Sequence, residues 1–227
     1  MARSTSNAEA LGAGQSSVKK AAYDRFQQEL LAGRLRPGQV VSQRELVQTL
    51  GLSIGALREL LPRLEAEGLL NVMPQRGIQI TTIDLPMIRD AYQMRMAFER
   101  EATLFAVDRM PDAIIEEQKR MHLLILDRLE AEQSTAFFEE SQEVDTGFHE
   151  LLIDFTGNEL LIQAYDVNSI RVRLIKLDRI TLSATTLPAA FGDHLAIIDA
   201  ILARDSNQAA NAMENHIRNA RERALAI

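Results

Sequence analysis

Residues 42–60 read SQRELVQTLGLSIGALREL, and two helix starts packed into that stretch decide how the front of the chain folds. Ser42 followed three residues later by Glu45 is a capping box, in which hydroxyl and carboxylate each take a backbone N–H that the first helical turn leaves without a partner. Leu46, Val47 and Leu50 supply an apolar face, and Gly51 stops the helix. Ser53 then caps a second helix, whose inner face is Leu57, Leu60, Leu61 and Leu64. Pro62 removes one intrahelical hydrogen bond, worth ~3 kcal/mol in a free helix. Leu61, Leu64 and Leu69 carry the buried face past it, so the helix is expected to continue with a bend.

Working outward, Val18, Ala22, Phe26 and Leu30 recur every four positions and predict one amphipathic helix from Ser17 to about Ala32, closed by Gly33. Pro37-Gly38 turns the chain into the capping box. Beyond the second helix, LLNVMPQRGIQITT (69–82) reads as two strands, 69–73 and 78–82, around Pro74-Gln75-Arg76-Gly77. Two short helices joined through a glycine and followed by a hairpin form a winged helix-turn-helix, the architecture that places its second helix in the major groove of DNA. Residues 1–15, rich in Ala, Ser, Gly and Asn, are expected to be a flexible arm, and 16–82 a DNA-binding domain.

After Asp84 the strand signal disappears. Six amphipathic helices are expected, at about 84–108, 111–132, 134–156, 158–182, 187–203 and 205–225, punctuated by Pro111-Asp112, Ser134, Gly157-Asn158, Leu187-Pro188 and a second capping box at Asp205/Gln208. Such a set makes an antiparallel bundle, so the fold class is mostly α: a winged helix-turn-helix followed by a six-helix bundle over residues 83–227.

Composition agrees with this division. The chain of 227 residues is 46% hydrophobic, enough for two cores, and has no cysteine, which excludes disulfides, iron–sulfur clusters and thiolate metal sites. No apolar run approaches the ~20 residues of a membrane helix and no secretory signal is recognisable, so a soluble cytoplasmic protein is expected. The net charge of −7 is uneven: residues 1–80 hold 10 Lys/Arg against 7 Asp/Glu, and residues 81–227 hold 15 against 25. A polyanion would therefore meet the front half, although so small an excess is also ordinary scatter.

Candidate chemistry lies in the bundle. Asp145 and His149 are four apart and share one helical face, His194 adjoins the stripe Phe191, Leu195, Ile198, and His216 lies on the inward side of the last helix. Burying these four groups without partners would be costly, and one divalent ion would satisfy them all. A His3Asp set suits Zn²⁺, with Ni²⁺, Mn²⁺ or Fe²⁺ possible, and an octahedral ion would keep positions open for a ligand. The plainer reading of any one of these histidines is a hydrogen-bonded core residue. His122 has no acidic or histidine companion at ligand spacing and reads as an ordinary helix residue. Arg95 could clamp a carboxylate inside the bundle or pair with Glu99 one turn on, with Asn168 and Arg171 as further effector-binding candidates.

Two motif sets together resemble a known family. GRLRPGQVV, the Leu-Gly-x-Ser turn, Arg-Glu on the second helix, LEAEGLL before the wing and the wing glycine resemble the winged helix of GntR-family bacterial transcription regulators. Asp145, His149, His194 and His216, with Arg95/Glu99 on the first helix of the bundle and Thr156-Gly157-Asn158, are similar to the FCD (FadR-type) effector domain. Six rather than seven effector helices suggest its shorter, VanR-like branch. The resemblance spans residues 17–225 and implies a homodimer on two-fold operator DNA, usually a repressor, released when a small carboxylate effector binds at the metal.

By the same resemblance Arg44 contacts phosphate or a base, Arg58 is the recognition-helix arginine, and the wing tip Gln75-Arg76-Gly77 enters the minor groove. Where relatives open the recognition helix with Ser-Arg-Thr-Pro, this chain has Ser53-Ile54-Gly55-Ala56. Base reading is thereby shifted to Arg58, the wing, thymine-methyl contact by Ile54 or Ala56, and DNA shape. Two other readings stand beside this one. The metal itself could be the signal, as in a metal-sensing repressor. A helical metalloenzyme would also use such a site, but no general base or HExxH pattern accompanies the ligands.

Overall fold

A computed structural model describes residues 20–179 and 182–226. The expected arm at 1–15 and the start of the first helix lie outside the described residues. The chain forms two compact units that divide between Ile83 and Asp84.

In the first unit, helix α1 occupies described residues 20–31 and buries Ala22, Tyr23, Phe26 and Leu30. Both halves of the capping box form at α2 (Gln43–Leu50): the Glu45 N–H donates to Ser42 Oγ at 3.1 Å and the Ser42 N–H to the Glu45 carboxylate at 2.7 Å. Gly51, at φ 62°, ends the helix in the left-handed region. Ser53 caps α3 (Ile54–Ala66) by accepting from the Ala56 N–H at 3.1 Å. Helix α3 runs through Pro62, which sits on its exposed side, while Leu57, Leu60, Leu61 and Leu64 are buried. Each such leucine contributes ~1.5–3 kcal/mol by leaving water, enough together to outweigh the proline's lost bond.

The wing consists of β2 (Leu70–Met73) and β3 (Gly77–Ile80), antiparallel, with Met73 opposite Gly77. A strand not expected from the sequence, β1 (Val40–Val41), pairs with the other edge of β3 and gives the sheet order β1-β3-β2. This strand explains Gly77. At φ 113°, a Cβ there would lie 2.7 Å from the Val41 carbonyl oxygen, so only glycine lets β1 and the wing approach.

The second unit is all helical among its described residues: α4 (Leu85–Arg109), α5 (Asp112–Arg128), α6 (Thr135–Phe155), α7 (Glu159–Arg179), α8 (Leu187–Leu202) and α9 (Ser206–Leu225). Asp84, Ser134 and Asp205 cap α4, α6 and α9 through backbone N–H groups of Met87, Phe137 and Gln208. Only the Asp205 half of the expected second capping box forms. Helix α5 ends a turn earlier than expected, because Leu129–Ala131 turn back through bonds to the carbonyls of Leu126 and Arg128. Helix α4 packs against α6, α7, α8 and α9, while α8 packs against α5 and α9. Side chains from α4, α5, α6, α8 and α9 therefore meet in one interior.

Candidate metal centre and recognition surface

His149 on α6, His194 on α8 and His216 on α9 converge in that interior, each offering a ring nitrogen within 4.8 Å of the others. All three are buried. His194 Nε2 and His216 Nε2 are 3.3 Å apart, and the rings of His149 and His216 stack at 5.0 Å between centroids.

The opposite ring edges face other partners. His149 Nδ1 lies 2.8 Å from Glu99 Oε2, close but not aligned as a hydrogen bond, and His216 Nδ1 lies 3.6 Å from Asp193 Oδ2. His194 Nδ1 lies 2.9 Å from His122 Nε2. His194 and His216 thus turn their Nε2 edges toward each other and their Nδ1 edges outward, toward His122 and Asp193, an orientation suited to metal-binding histidines. At His149 the assignment is forced: Arg95 Nη2 stands 2.7 Å from Nε2 and can only donate, so Nε2 carries the lone pair.

Electrostatics agrees with neutral rings. Burial, reinforced by the Arg95 guanidinium and countered by Glu99, pushes His149 from 6.5 down to about 4. Burial also lowers His122, His194 and His216. Neutral imidazoles, each keeping one ring-nitrogen lone pair, suit a divalent cation.

Asp145 stands one turn before His149, with Oδ1 3.7 Å from His194 Nε2. Its Oδ2 accepts from Lys176 Nζ and, at 3.1 Å, from Gln142 Nε2. Burial alone would raise its pKa, but the Lys176 charge overrides this and holds the carboxyl well below the usual range. The donor set therefore fits a cation: three convergent nitrogens with an ionised carboxylate beside them.

The reading of His122 needs correction. It is fully buried on α5 and contacts His194 directly, because the α5–α8 packing supplies a companion that spacing along one helix cannot reveal.

A small cleft, partly open to solvent, reaches the site past Arg95, Gln142, Asp145, Lys176, His216 and Arg223. Arg95 does pair with Glu99, Nε to Oε1 at 2.6 Å, and that carboxylate also accepts from the Tyr165 hydroxyl at 3.1 Å. Burial would raise the pKa of Glu99, but Arg95 outweighs it and keeps the acid ionised. Arg95 Nη1 is nevertheless buried with no hydrogen-bond partner. Neither Asn168 nor Arg171 lines the cleft. Asn168 is buried and spends its Nδ2 on the Ala91 carbonyl at 2.9 Å, while Arg171 Nη1 lies 3.5 Å from the Val167 carbonyl. The sequence reading missed Gln142, Lys176 and Arg223.

In the first unit, Arg44, Ser53, Ile54, Arg58, Gln75 and Arg76 are exposed, and Ala56 and Gly77 half-buried. Ile54 is 46% exposed at the leading end of α3, a large apolar side chain without a packing role in the unit's core. Gln75, at φ 62°, forms the wing turn. Among the described residues, Arg44, Arg58 and Arg76 carry no ion pair, whereas Arg25, Arg34 and Arg63 are each tied to a glutamate.

The chain matches the gntR family of bacterial regulatory proteins over residues 18–80 and the FCD domain over residues 90–219. It is 27% identical to the HTH-type transcriptional repressor GlaR of Escherichia coli K12 over 86% of this chain and 90% of that protein. It is 26% identical to the HTH-type transcriptional repressor RspR of the same organism over 88% and 86%. A putative GntR transcriptional regulator from Rhodococcus sp. RHA1 has the same fold, with a TM-score of 0.68 at 17% identity over 93% of this chain and 98% of that one. A metal-free FCD domain of a putative transcriptional regulator aligns with a TM-score of 0.52 at 22% identity, over 64% of this chain and 96% of that one. Among the described residues no helix is long and apolar enough to cross a membrane. With a GntR winged helix ahead of an FCD domain, the chain belongs to the GntR family of bacterial regulatory proteins, as a DNA-binding regulator and not an enzyme.

Proposed function

We propose that the protein is a homodimeric transcriptional repressor that leaves its operator when a small carboxylate binds beside a divalent metal in the helical unit. The observation that carries this reading is the pairing of two groups at one cleft. One is the buried cluster of ring nitrogens of His149, His194 and His216, with His216 lining the cleft. The other is the buried Arg95, whose Nη1 has no partner.

Asp145 would complete the ligand set, with Zn²⁺ the best match to its chemistry. The ion would supply positive charge and open coordination positions for an acid. This chain's own residues would orient that acid. Arg95 supplies a planar fork for a carboxylate, Lys176 and Arg223 add cations at the cleft, and Gln142 offers an amide. His149 would help hold the ion through the lone pair that Arg95 Nη2 uses here, which would leave that guanidinium donor available to the acid.

At the DNA, unpaired Arg44, Arg58 and Arg76 would neutralise phosphates or read guanine edges, and exposed Ile54 and Ala56 would pack on thymine methyls. Two-fold symmetry would place two α3 helices one DNA turn apart, about 34 Å.

Elemental analysis after dialysis against zinc tests the site. The unaltered chain should retain about one ion per chain and His194→Ala should lose most of it; full occupancy of the variant would sink the assignment. If chelation alone released DNA and no acid had any effect, the metal itself would be the signal.

A further inference from the structure

We propose that His122 is a positioning residue for this site: its Nε2 holds His194 with Nδ1–H turned outward, so that the His194 Nε2 lone pair faces the metal. The proposal rests on the metal reading above, and its test separates the two.

The proton assignments follow in order along a chain of contacts. His122 Nδ1 lies 2.7 Å from the Gln118 carbonyl oxygen, one turn back on α5. A carbonyl can only accept, so His122 Nδ1 carries hydrogen. A neutral imidazole has one ring N–H, so His122 Nε2 is left with a lone pair. His194 Nδ1, 2.9 Å away, must then donate to it, and the hydrogen of His194 is used up on the side away from His149 and His216. His194 Nε2 is thereby bare where it faces His216 Nε2 at 3.3 Å and Asp145 Oδ1 at 3.7 Å.

Neighbouring rings fix the relay in place. His122 packs edge-on to Phe148 at 5.4 Å and against Phe191 at 4.8 Å between centroids, and it has no exposed surface.

The other two histidines face carboxylates through Nδ1, Glu99 for His149 and Asp193 for His216. An imidazole orients His194 without adding a further negative charge to an interior that already holds Glu99 and Asp145.

The test uses the full chain, with histidines labelled with ¹⁵N, in chelator at pH 7.5. Long-range ¹H–¹⁵N spectra should show His194 as the Nδ1–H tautomer in the unaltered protein. His122→Gln should preserve it, because the amide oxygen accepts, whereas His122→Phe keeps the ring packing and should shift His194 toward Nε2–H. In competition with a chromophoric chelator, His122→Phe should bind zinc ~10–100-fold more weakly and His122→Gln within a few-fold of the original. An Nε2–H tautomer in the unaltered protein, or unchanged zinc affinity in a folded His122→Phe, overturns the proposal. If His122→Phe does not fold, the unaltered spectrum and the His122→Gln affinity still decide it. Failure of the unaltered chain to bind zinc overturns the metal reading itself, whichever tautomer is seen.

Discussion

Acidification should destabilise the metal-free protein well before its carboxylates titrate. Burial, aided by Arg95, depresses His149 from 6.5 to about 4. Between those values the unfolded chain binds a proton that the folded chain refuses, so unfolding stability rises with pH there and is lost as pH falls. Integrating the linkage for this one group gives a loss of about 2 kcal/mol between pH 7.5 and pH 5.0. His122, His194 and His216 are shifted in the same direction and add to it. Glu99 and Asp145 are depressed acids, whose stabilisation is present above their unfolded pKa values of about 4 and is lost only at lower pH, so they change little in this window. Urea unfolding in chelator at the two pH values, followed by circular dichroism of the helical unit, measures the difference. Equal stability at pH 7.5 and 5.0, or greater stability at 5.0, would refute the neutral buried histidine cluster.

Further consequences bear on other parts of the molecule. Arg58→Ala should weaken binding to a target DNA by ~1–3 kcal/mol, and unchanged affinity in fluorescence anisotropy would remove Arg58 as a base contact. Arg95→Ala should leave the buried Glu99 carboxylate without its cation and cost about 3–5 kcal/mol of stability. The same variant should bind a carboxylate effector more weakly in calorimetry while still holding zinc; equal acid affinity would reduce Arg95 to a structural partner of Glu99. Gly77→Ala should cost at least about 1 kcal/mol, because a Cβ at φ 113° would lie 2.7 Å from the Val41 oxygen. An unchanged unfolding midpoint would show that β1 yields without penalty.

Local rules made much of this molecule legible from residue order. Ser42/Glu45, Gly51 and Ser53 mark α2 and α3 because caps and stops act within one helical turn, and the leucines of α3 outweigh Pro62 as expected. Strand β1 was not legible, since two valines carry no periodicity and become a strand only by pairing with β3. In the helical unit, Asp145, His149, His194 and His216 could be singled out because each lies on the apolar side of its own helix. His122 was missed because its partner is on another helix. The available signal was its register with buried Ile115 and Ile125 on α5, which marks an inward imidazole. Lys176 and Arg223 sit on half-buried positions near helix ends, where charged residues ordinarily reach solvent, so only the packed bundle reveals them at the cleft. Asn168, expected as an effector contact, is buried with its amide engaged by the Ala91 carbonyl, a partner that no sequence pattern announces.

The most direct test combines DNA, metal and acid in one titration. A thermal-shift screen of small carboxylic acids on zinc-loaded protein supplies the acid that stabilises it most. That acid is then titrated into a complex of the protein with fluorescent DNA from upstream of its own gene, read by anisotropy. The account predicts release from DNA by the acid when zinc is present, and at least tenfold less response after chelation or in His194→Ala. Release at the same acid concentration in all three cases would contradict a metal-held effector.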